Sequence, residues 1–344
     1  MTKRTRKLGD TLQTPLIRLW ALLVGWLDVV LIPLQRRIGV QRMAYFFVLP
    51  NLLIFGVFIL LPMFLNFGYA ITGSTEFFIN ERPYVGADNF EALLTCEDYS
   101  KPITCDQDIF WRALSNTVVF VVVSVTLIVV LSVMTALALN HPIRGRVFFR
   151  SVVFYPVLLS PVVVALIWRW ILQRDGLLNA IIVGLGGERV PFLLSPEWAR
   201  FWVIFVSVWA QLGFYTLILL AGLQSIPHEY YEAARIDGAN SGRLFRHITL
   251  PLLSPTLLVV TVLCVIRAVQ VFDQAYSLNG GGPGTATTYI VQYIYNTGFT
   301  GTSRLAGLAA AASVMLAGVL LVFTLVQLRV GRRTESYWLF KGLG

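Results

Sequence analysis

The chain has 344 residues, of which 56% are hydrophobic and 13% charged, with 27 Lys+Arg against 18 Asp+Glu. Soluble domains carry about 45–50% apolar and about 25% charged residues, so a chain this apolar, with mean hydropathy +0.71, cannot cover itself in water. That excludes a soluble domain, a disordered chain, a collagen and a disulfide-stapled secreted module. The net charge of +9 is no sign of nucleic acid either, because that needs basic residues gathered on a solvated face.

The composition predicts an all-α membrane protein. Crossing about 30 Å of hydrocarbon takes about 20 residues of helix. Residues 1–42 form a basic extension whose apolar stretch, Leu16–Leu34, carries Arg18 and Asp28. It either spans or lies in the interface as an amphipathic helix. It is not expected to be a secretory signal, since it begins late and no small-residue cleavage site follows. Six runs then meet the length test: 43–72, 111–140, 148–172, 201–223, 252–277 and 305–328. Between the first two lies an acidic loop holding Cys96 and Cys105, which can pair in an oxidising compartment or remain two thiols. Pro156 and Pro161 are expected to bend the third run, and Trp168, Arg169 and Trp170 read as an interfacial belt with a snorkelling arginine. The run Asn279–Gly284 reads as a sharp turn, and Tyr289–Phe299 is too short to span and is expected to rest at the interface. Residues 331–344 remain as a tail.

Orientation follows from the basic residues. Placing 1–42 in the cytoplasm puts 18 of the 27 Lys+Arg on that side, whereas the 73–110 loop has only Arg82 and Lys101 against eight acids. That is the positive-inside pattern with both termini cytoplasmic. A spanning Leu16–Leu34 would carry the Lys3–Lys7 cluster outside, so the interfacial reading fits better.

The connection 224–251 is longer than joining two antiparallel spans requires. Pro227 suits the first turn of a helix, Gly238 its left-handed end, and Asn240 or Ser241 the cap of a second short helix expected to run to Ile248 before Pro251 breaks it. Glu232-Ala233-Ala234, three residues, Gly238, nine residues, then Ile248-x-Leu250-Pro251 resembles the EAA loop of bacterial ABC importer permeases. Ile226-Pro227, Tyr231, Phe272-Asp273 and Gly281-Gly282-Pro283 resemble the carbohydrate-importing branch, the maltose- and glycerol-3-phosphate-type permeases. The likeness covers about residues 43–330, and the first 40 or so have no counterpart in it.

The resemblance implies a permease subunit in the bacterial inner membrane, paired with a second homologous permease and served by an extracytoplasmic solute-binding protein. It implies two cytoplasmic ATPase subunits that bind ATP and Mg, while this chain binds no cofactor. Glu232, Ala233, Ala234, Asp237, Gly238, Ile248, Leu250 and Pro251 would then couple the chain to the ATPase. No Gly-x-x-x-x-Gly-Lys-Ser/Thr occurs in the sequence, in keeping with ATP bound elsewhere.

Ionisable and amide groups within spans are costly and therefore functional candidates. Arg267 lies about 22 Å into the fifth run at 1.5 Å per residue, and Cys264, Arg267, Gln270, Val271 and Gln274 would share one helical face. Gln211 and Tyr215 form an i, i+4 pair in the fourth run. In the family these two spans build the substrate pocket, which the resemblance carries onto Gln211, Tyr215, Arg267 and Gln270. The alternatives are interhelical hydrogen bonding, or a pair between Arg267 and Asp273. An ion-coupled secondary transporter would call for internal repeats, and none is found. A membrane enzyme or metal site needs clustered ligands, whereas His141, His228 and His247 are scattered over loops.

Overall fold

The computed structural model describes residues 35–36, 39–73, 75–76, 78–142, 144–300 and 305–341. The Leu16–Leu34 segment and the Lys3–Lys7 cluster lie outside the described residues. The chain divides into two compact units, Met1–Asn66 and Phe67–Gly344.

In the first unit, α1 (Val40–Phe55) leads through one π turn, Gly56–Leu60, into α2 (Leu61–Ala70), whose end belongs to the second unit. The sequence here is apolar on all sides, which suits a helix facing lipid rather than an amphipathic surface helix. The π turn has a local cause. Pro62 has no N–H to give to the carbonyl four residues back, and its ring would collide with that carbonyl. The Leu61 N–H bonds the Gly56 carbonyl instead, five residues back, which widens the turn just before the proline.

The second unit is helical throughout its described part, apart from two isolated antiparallel bridges, Thr72 with Tyr84 and Cys96 with Cys105. In order come α3 (Asp88–Leu94), α4 (Asp108–Asn140), α5 (Arg146–Phe154), α6 (Pro161–Leu172), α7 (Leu177–Gly184), α8 (Pro196–Gln224), α9 (His228–Ile236), α10 (Ser241–Leu244), α11 (Leu250–Val269), α12 (Asp273–Asn279), α13 (Ile290–Phe299) and α14 (Ala306–Lys341). Among the described residues five helices are long and apolar enough to span, or six if the bent 146–184 segment is one span.

The core lies where α4, α8 and α11 meet. Ile128, Ala136, Leu219, Leu223, Leu253 and Val260 are buried there. Polar side chains inside this layer turn back on their own helices: Ser124 donates to the Phe120 carbonyl at 2.6 Å and Thr216 to that of Leu212 at 2.8 Å. Such short hydroxyl residues satisfy themselves locally and let helices approach closely.

One end of the bundle, here the disulfide end, carries the 73–107 loop. Cys96 and Cys105 are joined, with S–S 1.97 Å and Cα–Cα 4.0 Å. Arg82, only 6% exposed, ties the start of the loop: it donates to Thr72 Oγ1 at 3.0 Å and the Glu76 carbonyl at 2.6 Å, and lies 5.2 Å over the Tyr69 ring. These partners neutralise none of its charge but satisfy its donors, which is what a buried guanidinium requires.

Three expectations change. The third run is not one straight span: the helical path bends by 100° between Leu158 and Pro161. Leu159 and Ser160 are extended (ψ 143° and 139°), and for Ser160 this is the conformation imposed on a residue before proline. The sixth helix continues past Leu328 to Lys341, so part of the expected tail is helical. Tyr289–Phe299 does not merely rest at an interface, because Ile290, Gln292 and Tyr293 of α13 are buried against α14 and α4.

Candidate functional site

The opposite end of the bundle carries the 225–249 hairpin. α9 follows Pro227, which is its N-cap rather than part of its first turn. It ends at Gly238, whose φ of +78° turns the chain back. The Gly238 N–H then reaches the Arg235 carbonyl at 3.0 Å and the Ala239 N–H the Ala234 carbonyl at 2.9 Å. This Schellman closure satisfies the last helical carbonyls and needs a residue without a Cβ penalty in the left-handed region. Asn240 Oδ1 accepts the Arg243 N–H at 2.9 Å and caps α10.

The break expected at Pro251 is absent. α10 passes through a π turn, Phe245–Thr249, into α11, so one helix runs from Ser241 to Val269. The cause matches that at Pro62: the Leu250 N–H bonds the Phe245 carbonyl five residues back, and the widened turn takes up the proline. The fifth span therefore begins as part of the hairpin, with no separate short helix before it.

The two arms are joined by Tyr231, whose hydroxyl lies 3.1 Å from Thr249 Oγ1, and by the buried Leu244. The outer surface carries Ile236, 87% exposed, Tyr230, 54% exposed, and the exposed Glu232, Ala233, Asp237 and Gly238. Ile248 and Pro251 are half-buried at the root, with Leu250 exposed beside them. Among the described residues Glu232 makes no ion pair. A knob that exposes apolar Ile236 and Tyr230 among both acidic and basic side chains, Glu232, Asp237 and Arg235, is suited to docking.

Deeper in the bundle, Tyr215 of α8 and Cys264 of α11 belong to one buried cluster, each 1% exposed. The two helices are antiparallel, so one turn toward the disulfide end brings Gln211 and Arg267 to a common level. Arg267 and Gln270 are exposed on this chain and Gln211 is half-buried, whereas Tyr215 is a core residue. Arg267 forms no ion pair with Asp273 among the described residues.

The expected single face from Cys264 to Gln274 does not exist. α11 ends at Val269 and Gln270 caps it, so Arg267 and Gln270 keep their i, i+3 relation. Phe272 leaves helical geometry (φ −146°, ψ −69°), and α12 restarts at Asp273. Val271 and Gln274 are buried at 8% and 7% exposure. Arg267, Gln270 and Gln274 keep helical spacing across the break, so periodicity carries no mark of it; the packing of Val271, Ala275 and Leu278 into the core beside α6 and α8 makes it.

At the disulfide end, the 279–288 turn is clamped by side chains from two spans. Asn116 Nδ2 donates to the Thr285 and Thr288 carbonyls at 2.8 and 3.1 Å, and Arg200 Nε to the Ala286 carbonyl at 3.2 Å. Within the turn, Asn279 Nδ2 donates to the Gly282 carbonyl at 2.8 Å, and Thr287 Oγ1 to the same carbonyl at 2.9 Å. Sequence reading missed Asn116, although an amide in an otherwise apolar span was the available signal. Trp168 is half-buried, its ring 5.3–5.7 Å from those of Trp202, Phe205 and Trp209, while Arg169 and Trp170 are exposed beside it. Its neighbour Arg169 opens on a cleft of about 530 Å³ shared with Arg174 and Arg189, the last paired with Asp175 at 3.3 Å.

Residues 109–336 match the family described as binding-protein-dependent transport system inner membrane component. The chain belongs to this family. It is 38% identical over 292 residues to the trehalose/maltose transport system permease protein MalF of Thermococcus litoralis, covering 85% of this chain and 94% of that protein. It is 33% identical over 321 residues to the diacetylchitobiose uptake system permease protein NgcF of Streptomyces coelicolor, covering 88% and 86%. Among solved structures it resembles a bacterial ABC transporter involved in the import of the acidic polysaccharide alginate, with TM-score 0.73, 29% identity, and coverage of 88% and 99%. The expected permease family and helical membrane fold are thereby established. As an inner-membrane transport component the chain is a multi-pass membrane subunit of an import system.

Proposed function

We propose that this permease passes a saccharide, delivered by an extracytoplasmic binding protein, across the inner membrane, driven by ATP hydrolysed on separate subunits. The observation that carries the reading is the exposed hairpin: Glu232, Ala233, Ala234 and Gly238 sit on a knob whose turn is closed by main-chain bonds and whose Glu232 makes no ion pair among the described residues. In this reading the hairpin end faces the cytoplasm with both termini, and the knob docks on one of two ATPase subunits that hold ATP and Mg. Ile248, Leu250 and Pro251 form its root, so movement imposed on α9 passes through the π turn directly into α11. A second homologous permease faces this one. Residues 43–330 form the transport domain, preceded by the 1–42 extension and followed by the 331–344 tail.

The cargo class rests on relatives named for trehalose/maltose, diacetylchitobiose and lactose, and on the alginate importer. Gln211 and Arg267 at one level of the α8–α11 seam, with Gln270 a turn further on, supply amide and guanidinium donors suited to hydroxyl and acidic substituents. Tyr215, behind them, supports the seam through Cys264 and lines the path only if the helices part.

The test is reconstitution of the tagged chain with its co-purifying subunits, measuring saccharide uptake and ATP hydrolysis together. Glu232→Ala is expected to leave hydrolysis while depressing uptake, and Arg267→Ala to lower uptake without loss of assembly. A chain that copurifies with no ATPase after crosslinking would overturn the reading.

A further inference from the structure

The hairpin end holds a second charged cluster that neither the hairpin nor the α8–α11 seam uses. Arg146 and Arg150 lie one turn apart on α5, beside the last residue of α8. With the Gln224 amide turned as both guanidiniums require, its side-chain oxygen accepts from Arg146 Nη2 at 3.0 Å and Arg150 Nη2 at 2.9 Å. Two like charges therefore converge on one neutral atom. The ion pairs among the described residues lie elsewhere, at Lys101–Asp98, Arg112–Asp108 and Arg189–Asp175. Both Nε atoms are shielded from solvent and have no acceptor. A guanidinium pair brought together without a counter-charge is costly, and an anion that accepts from both relieves it.

The surroundings indicate what kind of anion. On the same short helix Val147, Phe148, Phe149 and Val152 are exposed at 79%, 66%, 48% and 52%. Large apolar side chains flanking half-buried arginines match the depth at which a headgroup phosphate meets acyl chains, where basic pockets recognise anionic lipid. The cluster offers only donors, the remaining guanidinium N–H groups and the Gln224 amide NH2, and a phosphodiester offers only acceptors.

We propose that Arg146 and Arg150, bridged by Gln224, hold the phosphate of an anionic membrane lipid whose chains lie along Val147, Phe148, Phe149 and Val152. Because Gln224 is also where α8 gives way to the hairpin, the lipid steadies the root of that hairpin. The site depends on neither the cargo nor the ATPase.

Native mass spectrometry of the intact transporter, titrated with phosphatidylglycerol and separately with phosphatidylcholine, tests this. Wild type is expected to retain phosphatidylglycerol selectively, and Arg146→Gln/Arg150→Gln to bind it about thirtyfold more weakly, the loss expected for two basic contacts at a membrane surface. Phosphatidylcholine retention should not change, and inorganic phosphate at the same concentration should not displace the lipid. If the double variant does not accumulate, Arg150→Gln alone is expected to weaken retention about fivefold. Equal phosphatidylglycerol retention by wild type and variant overturns the proposal. So does displacement by inorganic phosphate, which makes this a free-anion site. Loss of the ATPase subunits with lipid retained also overturns it, since the arginines would then hold a carboxylate of a docked protein.

Discussion

Two proline sites in this permease have opposite outcomes. At Pro251 the helix continues from Ser241 to Val269, and at Pro161 the path bends by 100°. Both prolines lack the same N–H and carry the same ring. The difference lies in the residue before each. Leu250 stays helical (φ −65°, ψ −43°) because the turn beneath it has widened to a π turn. Ser160 is extended (φ −60°, ψ 139°), and the bend it makes is held from outside. On α8, Gly213 faces the Val153 carbonyl and Phe154 so closely that a methyl group there would overlap the backbone. A proline lacks the same donor in either place, and the neighbours decide whether the helix runs on through it or starts afresh from it. The functional consequence is that the hairpin is mechanically continuous with a span, whereas the 146–184 segment is jointed.

Variants can break or sharpen this contrast. The largest effect is expected from Gly238→Pro, since proline is fixed near φ −65° and Gly238 sits at +78°. The hairpin turn cannot then close, and uptake in proteoliposomes should fall by more than about tenfold, equivalent to about 1.4 kcal/mol of coupling. ATP hydrolysis that proceeds without transport would accompany it. Preserved uptake would mean that the turn does not transmit movement.

Next, Gly213→Ala should destabilise by about 1–3 kcal/mol, the usual cost of overpacking, because the obstacle is backbone and not a flexible side chain. A lower thermal midpoint and lower yield of assembled complex would register it. An unchanged midpoint would show that the bend does not depend on this close approach.

Pro251→Ala keeps the helix but removes the reason for the π turn. Relaxation to regular α geometry would re-register the hairpin relative to α11, so partial loss of uptake at normal assembly is expected. Pro161→Ala is the matched control. It should alter uptake little, because packing at Gly213 holds the bend. If the two variants behaved alike, the contrast would fail.

The smallest effect belongs to Asn240→Ala, which loses the cap on α10 at a cost of about 1 kcal/mol. Faster hydrogen exchange at Ser241–Leu244, with uptake barely changed, is the expected readout.

Much of this was legible in the residues. Apolar run length and the distribution of Lys and Arg identify a multi-pass helical protein, because hydrocarbon leaves a chain few other ways to satisfy its backbone. The spacing from Glu232 through Gly238 to Pro251 marked the hairpin, and Asn240 or Ser241 its cap, of which the structure uses Asn240. Legibility failed where helical spacing runs on past the end of a helix. The helical spacing of Arg267, Gln270 and Gln274 gives no sign of the stop at Val269, yet the expected face from Cys264 to Gln274 divides into an exposed pair, Arg267 and Gln270, and a buried pair, Val271 and Gln274. Tyr215 reads from sequence as a polar lining residue, yet it is buried by its neighbours on α11.

What the sequence determines by itself is local: which segments are apolar enough to enter the membrane, where glycine permits a left-handed turn, and where proline removes a donor. What tertiary structure alone decided is relational. It made Pro161 a corner, brought Asn116 and Arg200 onto the 279–288 turn, and set two arginines of α5 against one amide of α8. The physical reason is that a helix's own hydrogen bonds depend on near neighbours in the chain. The direction it takes after a defect, and the partner of each polar group inside the membrane, depend on which helices pack beside it.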